Sequence, residues 1–178
     1  MITETTISRA EYLIELEERY GAHNYHPLPV VIERARGVFM WDVENKRYYD
    51  FLSAYSAVNQ GHCHQLIVDV MKKQAEKLTL TSRAFHNSVL GEFEKYITEY
   101  FGYDKVLPMN TGVEAVETAI KIARKWAYEV KGTKDKKAKI IVPNGNFHGR
   151  TLLAISASTD PASYKGFGPF VPNFVHRP

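Results

Sequence analysis

Between Pro108 and Trp126 the chain reads PMNTGVEAVETAIKIARKW, a few small polar residues followed by a long apolar stripe. Thr111 and Glu114 stand at the Ser/Thr-x-x-Glu spacing of a capping box. There the threonine oxygen accepts the amide of Glu114, and the Glu114 carboxylate accepts the amide of Thr111. The amides of Gly112 and Val113 fall between them, in the first helical turn, where no intrahelical acceptor exists. Aligned peptide dipoles place about half a positive charge at that end. Two free donors, that charge and a residue without a side chain suit a phosphate. The same spacing also suits an ordinary capped helix whose first amides meet water.

A second cluster follows the β-branched run Lys139 to Val142: PNGNFHGRT, Pro143 to Thr151. Phe147 can stack on a flat ring, His148 can stack or donate a hydrogen bond, and Arg150 can hold a carboxylate through two parallel bonds. Each also has an ordinary reading: a core phenylalanine, a loop histidine and an exposed arginine. The triplet His62, Cys63, His64 invites a metal. Three consecutive residues cannot all face one ion without a sharp bend, and no second cluster follows at ligand spacing, so no metal site is expected.

These residues need elements to place them. Ser8 and Glu11 repeat the capping-box spacing and open a short helix to about Tyr20, ended by Gly21. Val38 to Trp41 and Arg47 to Phe51 read as a hairpin around a polar turn. Helical periodicity marks QLIVDVMKKQAEKLT and SVLGEFEKYITEYF. Next come a short strand KVLPM, the long helix from Gly112 to about Lys131, the strand KIIV and a helix near RTLLAISAS. This βαβα succession predicts an α/β layer with parallel strands, whose ligands gather beyond the carboxyl ends of the strands. Both clusters sit there.

Composition suits a soluble globular chain with a sizeable core, one domain or one and a fragment: 178 residues, 44% hydrophobic and 12% aromatic. The net charge of +3 is small, and the basic run from Lys131 to Lys139 has no interleaved aromatics, so no nucleic-acid partner is expected. Cys63 is the single cysteine, which excludes an internal disulfide and suits a reducing compartment. The first twenty residues lack an apolar signal core and are too acidic for a transit peptide, and no apolar run reaches spanning length. A cytoplasmic protein with no membrane association is the expectation.

The segments MNTGVEAVETAIKIARKW, NFHGRTLLAISASTDP and GFGPFVP together resemble the class III pyridoxal phosphate-dependent aminotransferases. Upstream, GAHNYHPLPVVIERARGVFMWD, DFLSAYSAVNQGHCHQ and LTLTSRAFHN are similar to the ornithine-acting branch, more than to the acetylornithine or 4-aminobutyrate branches. The resemblance covers nearly the whole chain. It implies fold type I, with residues 1–60 as an N-terminal segment of helix and hairpin belonging to the small domain. Residues 61–178 would then begin the large domain, with its mainly parallel sheet.

By the same resemblance, Gly112 and Val113, with Thr111 beside them, hold the phosphate of pyridoxal 5'-phosphate. Phe147 stacks on its ring and His148 neighbours it. Arg150 pairs with the substrate α-carboxylate, Tyr25 hydrogen-bonds the α-amino-acid end, and Tyr55 shapes the pocket for ornithine. Tyrosines at those two positions also suit a core edge. The implied reaction moves the δ-amino group of L-ornithine to 2-oxoglutarate in a homodimer, and the implied role of the HCH segment is packing. The lysine that binds the cofactor covalently is expected beyond residue 178, and no lysine here lies in a matching context, so no catalytic residue is assigned. A non-catalytic fragment that retains the phosphate nest is the alternative from another class.

Overall fold

The structure, a computed structural model, describes residues 7–178. Contacts divide the chain into a first unit that ends at His86 and a second, Asn87–Pro178.

The first unit opens with helix α1, Arg9–Tyr20. Its capping box forms as the spacing predicts: the Glu11 amide donates to Ser8 Oγ at 3.1 Å and the Ser8 amide to Glu11 Oε2 at 2.7 Å. Three antiparallel strands follow, β1 (Ile32–Arg36), β2 (Phe39–Asp42) and β3 (Arg47–Tyr49), in the order β1-β2-β3. The expected hairpin is β2 with β3, pairing Trp41 with Arg47 and Phe39 with Tyr49. Strand β1 escapes sequence reading because IERAR carries charges at Glu33, Arg34 and Arg36 and shows no apolar alternation. Its Arg34 guanidinium lies 4.1 Å from the Trp41 ring centre, and on β3 Arg47 lies 4.7 Å from that of Phe39.

The β2–β3 turn hangs on Asp42. Its Oδ1 accepts the amides of Glu44 at 3.0 Å and Lys46 at 2.8 Å, and its Oδ2 accepts the Tyr48 hydroxyl at 2.8 Å. Burial pushes this carboxyl up, but the Tyr48 hydroxyl and the two amides outweigh it and hold the acid below the usual carboxylate range. A depressed folded-state acid adds stability above the ordinary pKa of about 4 and loses it as pH falls through the lower folded value. Thermal unfolding followed by circular dichroism from pH 6 downward should therefore show a steeper loss below about pH 4 in the parent than in Asp42→Asn.

After β3, residues Ser53, Ala54, Tyr55 and Ser56 form a single left-handed turn, α2, with φ of +47°, +47°, +57° and +70°. Left-handed backbone costs about 1–2 kcal/mol for each residue that bears a Cβ, so four in a row need outside support. Asp50 supplies part of it, accepting the amides of Leu52 at 3.0 Å and Ser53 at 2.8 Å. Helix α3, Gln65–Lys77, completes the element list of this unit.

The second unit contains α4 (Leu90–Phe101), α5 (Gly112–Glu129), β4 (Ile140–Pro143), α6 (Leu152–Ser156), α7 (Pro161–Tyr164) and β5 (Phe174–Arg177). Strands β4 and β5 run parallel, Ile140 opposite Phe174, with α6 and α7 in the crossover. This is the α/β arrangement the alternation predicts. The expected strand KVLPM is irregular instead: Pro108 has no amide to give, and no strand among the described residues lies beside it to pair. The helix expected near RTLLAISAS is only the five residues of α6. Buried apolar side chains include Val142 on β4, Ala154 and Ile155 on α6, and Ala157 at the end of α6. By contrast α1, α3, α4 and α5 have no buried side chain among the described residues, and Phe93, Ile122 and Trp126 leave their apolar stripes open. No described helix is long and apolar enough to cross a membrane.

Candidate functional site

Helix α5 begins at Gly112, and Thr111 is its N-cap, in extended conformation. The Glu114 amide donates to Thr111 Oγ1 at 3.2 Å, and Glu114 Oε2 accepts from Thr111 at 3.1 Å. The same carboxylate oxygen also accepts the Asn110 amide at 2.9 Å, so one side chain ties down two successive loop residues. Among the described residues neither the Gly112 nor the Val113 amide meets a hydrogen-bond acceptor. A Cβ built on Gly112 would meet nothing within 4 Å, so the approach to these donors is open. Two free amides at the positive end of an 18-residue helix form an anion nest. Replacing Glu114 by alanine orphans the Asn110 and Thr111 amides and should lower unfolding free energy by about 1 kcal/mol, read from the denaturation midpoint.

The loop after β4 is fastened by side chains. Asn146 Nδ2 donates to the Pro143 carbonyl at 2.7 Å and to the Ala157 carbonyl at 2.7 Å, and the Gly145 amide donates to Thr159 Oγ1 at 2.8 Å. With both amide hydrogens of Asn146 committed, its Oδ1 faces His148 Nδ1 at 2.8 Å. An oxygen there can only accept, so Nδ1 is the donor and carries a proton. Among the described residues Phe147 is 72% exposed. The Arg150 guanidinium carbon lies 6.0 Å from the Phe147 ring centre, which places cation and aromatic face on one loop.

Gly149 brings the two clusters together. Its φ is +121°, and a Cβ built on it would lie 2.5 Å from Val113 Cγ2 and 2.7 Å from Val113 Cβ. The loop bearing Phe147, His148 and Arg150 thus presses its backbone against the first turn of α5, beside the free amides. Sequence reasoning passed over this residue, because a glycine between a histidine and an arginine looks like any turn glycine. Asn146, which sets the orientation of His148, was likewise unremarked.

The remaining candidates lie in the first unit. Tyr25 is 60% exposed and Tyr55 85% exposed, so neither is a core-edge packing residue among the described residues. Tyr55 sits inside the left-handed turn α2. Tyr25 lines a groove of about 530 Å³ with Ile14, Glu17, Leu28 and Ile32. The Glu17 and Glu18 carboxylates on the wall of this groove would repel an anion. The free amides at the start of α5 are the better candidate for one. Within His62–His64, His62 is committed to Asp50, its Nε2 donating to Asp50 Oδ2 at 2.6 Å. Among the described residues no group of three or more His, Cys, Asp and Glu side chains is arranged to hold a metal.

Comparison with known proteins bears on this arrangement. Residues 20–178 match the family described as Aminotransferase class-III. The chain is 64% identical over 176 residues to the mitochondrial ornithine aminotransferase of Rattus norvegicus, covering 99% of this chain and 40% of that protein. It superposes on the ornithine aminotransferase of Toxoplasma gondii with a TM-score of 0.93 at 46% identity, covering 97% of this chain and 41% of the other. For the acetylornithine aminotransferase of Elizabethkingia anophelis the TM-score is 0.81 at 63% identity, with 97% and 41% covered. The chain spans about 40% of the length of the curated relatives it matches.

Proposed function

The chain belongs to the class-III aminotransferases, and from that premise we propose that it serves an ornithine δ-aminotransferase of the relatives' length. That enzyme moves the δ-amino group of L-ornithine to 2-oxoglutarate and yields glutamate-5-semialdehyde and glutamate. The observation that carries the proposal is the pair of free amides at Gly112 and Val113, with the Phe147–Arg150 loop packed against them through Gly149.

These residues fit pyridoxal 5'-phosphate. The Gly112 and Val113 amides, with Thr111, would take the phosphate. Phe147 would cover the ring, and His148, its tautomer fixed by Asn146, would sit beside it. When bound, the cofactor supplies an aldehyde to capture the amine and a ring that accepts the electrons released with the proton. Binding and orienting fall to this chain. Arg150 would hold the α-carboxylate by a charge-assisted fork, keeping the α-amine distant and offering the δ-amine to the reacting centre. Tyr25 is assigned to the α-amino-acid end of ornithine and Tyr55 to the wall that favours it, both on the family resemblance.

Residues 1–60 are proposed as part of the small domain and 61–178 as the start of the cofactor domain, in a homodimer. The open apolar stripes of α4 and α5 suit cover by the further length the relatives have. A cytoplasmic setting is proposed on the single cysteine, although the rat relative is named mitochondrial. The decisive experiment compares L-ornithine, N-acetylornithine and 4-aminobutyrate as donors to 2-oxoglutarate in the cofactor-loaded enzyme. Ornithine is expected to give the highest kcat/KM. A preference for N-acetylornithine would move the chain to the branch of the Elizabethkingia relative, and absence of transfer from all three would overturn the proposal.

A further inference from the structure

Asp50 and His62 stand twelve residues apart and meet outside the anion nest and its loop. Asp50 Oδ1 accepts the amides of Leu52 and Ser53, at the entry to the left-handed turn, while its Oδ2 takes the His62 Nε2 proton at 2.6 Å. Both partners are secured in turn. The Asp50 amide donates to the Val38 carbonyl at 2.9 Å. The backbone of His62 exchanges two hydrogen bonds with Gly37, at 2.9 and 2.8 Å. Gly61 packs on Gly37 closely enough that a Cβ would lie 3.2 Å from the Gly37 Cα. Together with Ser53 and Val58 these residues line a small open pocket of about 150 Å³.

The turn that this pair anchors is strained at every residue, yet Tyr55 at its centre is 85% exposed. Strain offset by burial would hide the ring, whereas strain that displays the ring is expected where its position matters. We propose that Asp50 and His62 form a positioning pair that fixes the left-handed turn Ser53–Ser56 and thereby sets Tyr55 for substrate selection. Asp50 anchors the turn's first amides, and His62 keeps the carboxylate from rotating away. This rests on the reading of Tyr55 as a substrate contact.

The test uses Asp50→Asn, which keeps the acceptor oxygen and the shape but removes the charge, alongside His62→Leu, His62→Gln, Tyr55→Ala and the Asp50→Asn/Tyr55→Ala double variant. In the cofactor-loaded enzyme, Asp50→Asn and His62→Leu should each raise the ornithine KM about tenfold, as loss of a charged hydrogen bond does. Their kcat should stay within about twofold of the parent, and the preference for ornithine over 4-aminobutyrate should narrow. His62→Gln, which returns a donor near Nε2, should recover most of the loss. The double variant should be no worse than Tyr55→Ala, because the pair acts through that ring. In protein without cofactor, hydrogen exchange at the Leu52 and Ser53 amides should quicken in Asp50→Asn and not in Tyr55→Ala. An unchanged ornithine KM in Asp50→Asn, or an effect that adds in full to that of Tyr55→Ala, would overturn the inference while leaving Tyr55 as a contact. If Tyr55→Ala itself left the ornithine KM unaltered, the reading of Tyr55 would fall and this inference with it.

Discussion

Arg150→Ala is expected to raise the ornithine KM about thirtyfold, the equivalent of roughly 2 kcal/mol for a hydrogen bond to a charged group. The reason is local. Arg150 shares its loop with the Phe147 ring, and that loop is fastened at Asn146 and pressed on α5 at Gly149, so the guanidinium reaches the site on a fixed base. A carboxylate held by two parallel bonds stays where the loop puts it. Losing the fork should weaken binding in ground and transition states alike, hence KM should move more than kcat. Arg150→Lys should recover only part, since a single ammonium lacks the planar pair of donors. Steady-state kinetics with ornithine decide it: an unchanged KM in the alanine variant removes Arg150 from the substrate site.

A larger change is expected from one methyl group at Gly149. Alanine there must adopt φ near +121° and place its Cβ 2.5 Å from Val113 Cγ2. The backbone strain alone costs about 1–3 kcal/mol. The second close atom is Val113 Cβ, at 2.7 Å, which cannot yield without moving the backbone whose amide is proposed to hold the phosphate. Gly149→Ala should therefore lower the melting temperature and weaken pyridoxal 5'-phosphate at least thirtyfold, about 2 kcal/mol. Gly112→Ala is the control with a different signature. Its new Cβ meets no protein atom within 4 Å, so stability should hold or rise slightly, while the methyl obstructs the anion and affinity falls. Equilibrium dialysis of the cofactor with parallel melting curves separates the two. A Gly149→Ala protein that bound cofactor like the parent would refute the contact between loop and helix as a determinant of the site.

What the sequence made readable follows from how local each cause is. The capping boxes at Ser8 and Thr111 need three residues of spacing, and both formed. The β2–β3 hairpin carries its own turn, so its two strands were visible within a residue or two. Strand β5, as FVHR, pairs with β4 more than thirty residues away and has no alternation of its own to report it. KVLPM failed in the opposite direction, with strand-like residues but no neighbour to pair among those described. In the candidate site, residue types nominated Phe147, His148 and Arg150, because stacking and ion pairing belong to side chains. The contacts of Gly149 with Val113 and of Asp50 with His62 arise from closeness in space, which spacing along the chain does not encode. The left-handed turn was hidden too, since SAYS contains no glycine to announce it.

The Glu114 carboxylate clasps both Asn110 and Thr111 before any anion arrives. The loop therefore relinquishes its conformational freedom as the protein folds, not as it meets its cofactor. A pliant loop would surrender about 1–2 kcal/mol of chain entropy per residue at the moment of capture. Here calorimetry of phosphate capture should record little such loss, and Glu114→Ala should restore it as an entropic penalty on association.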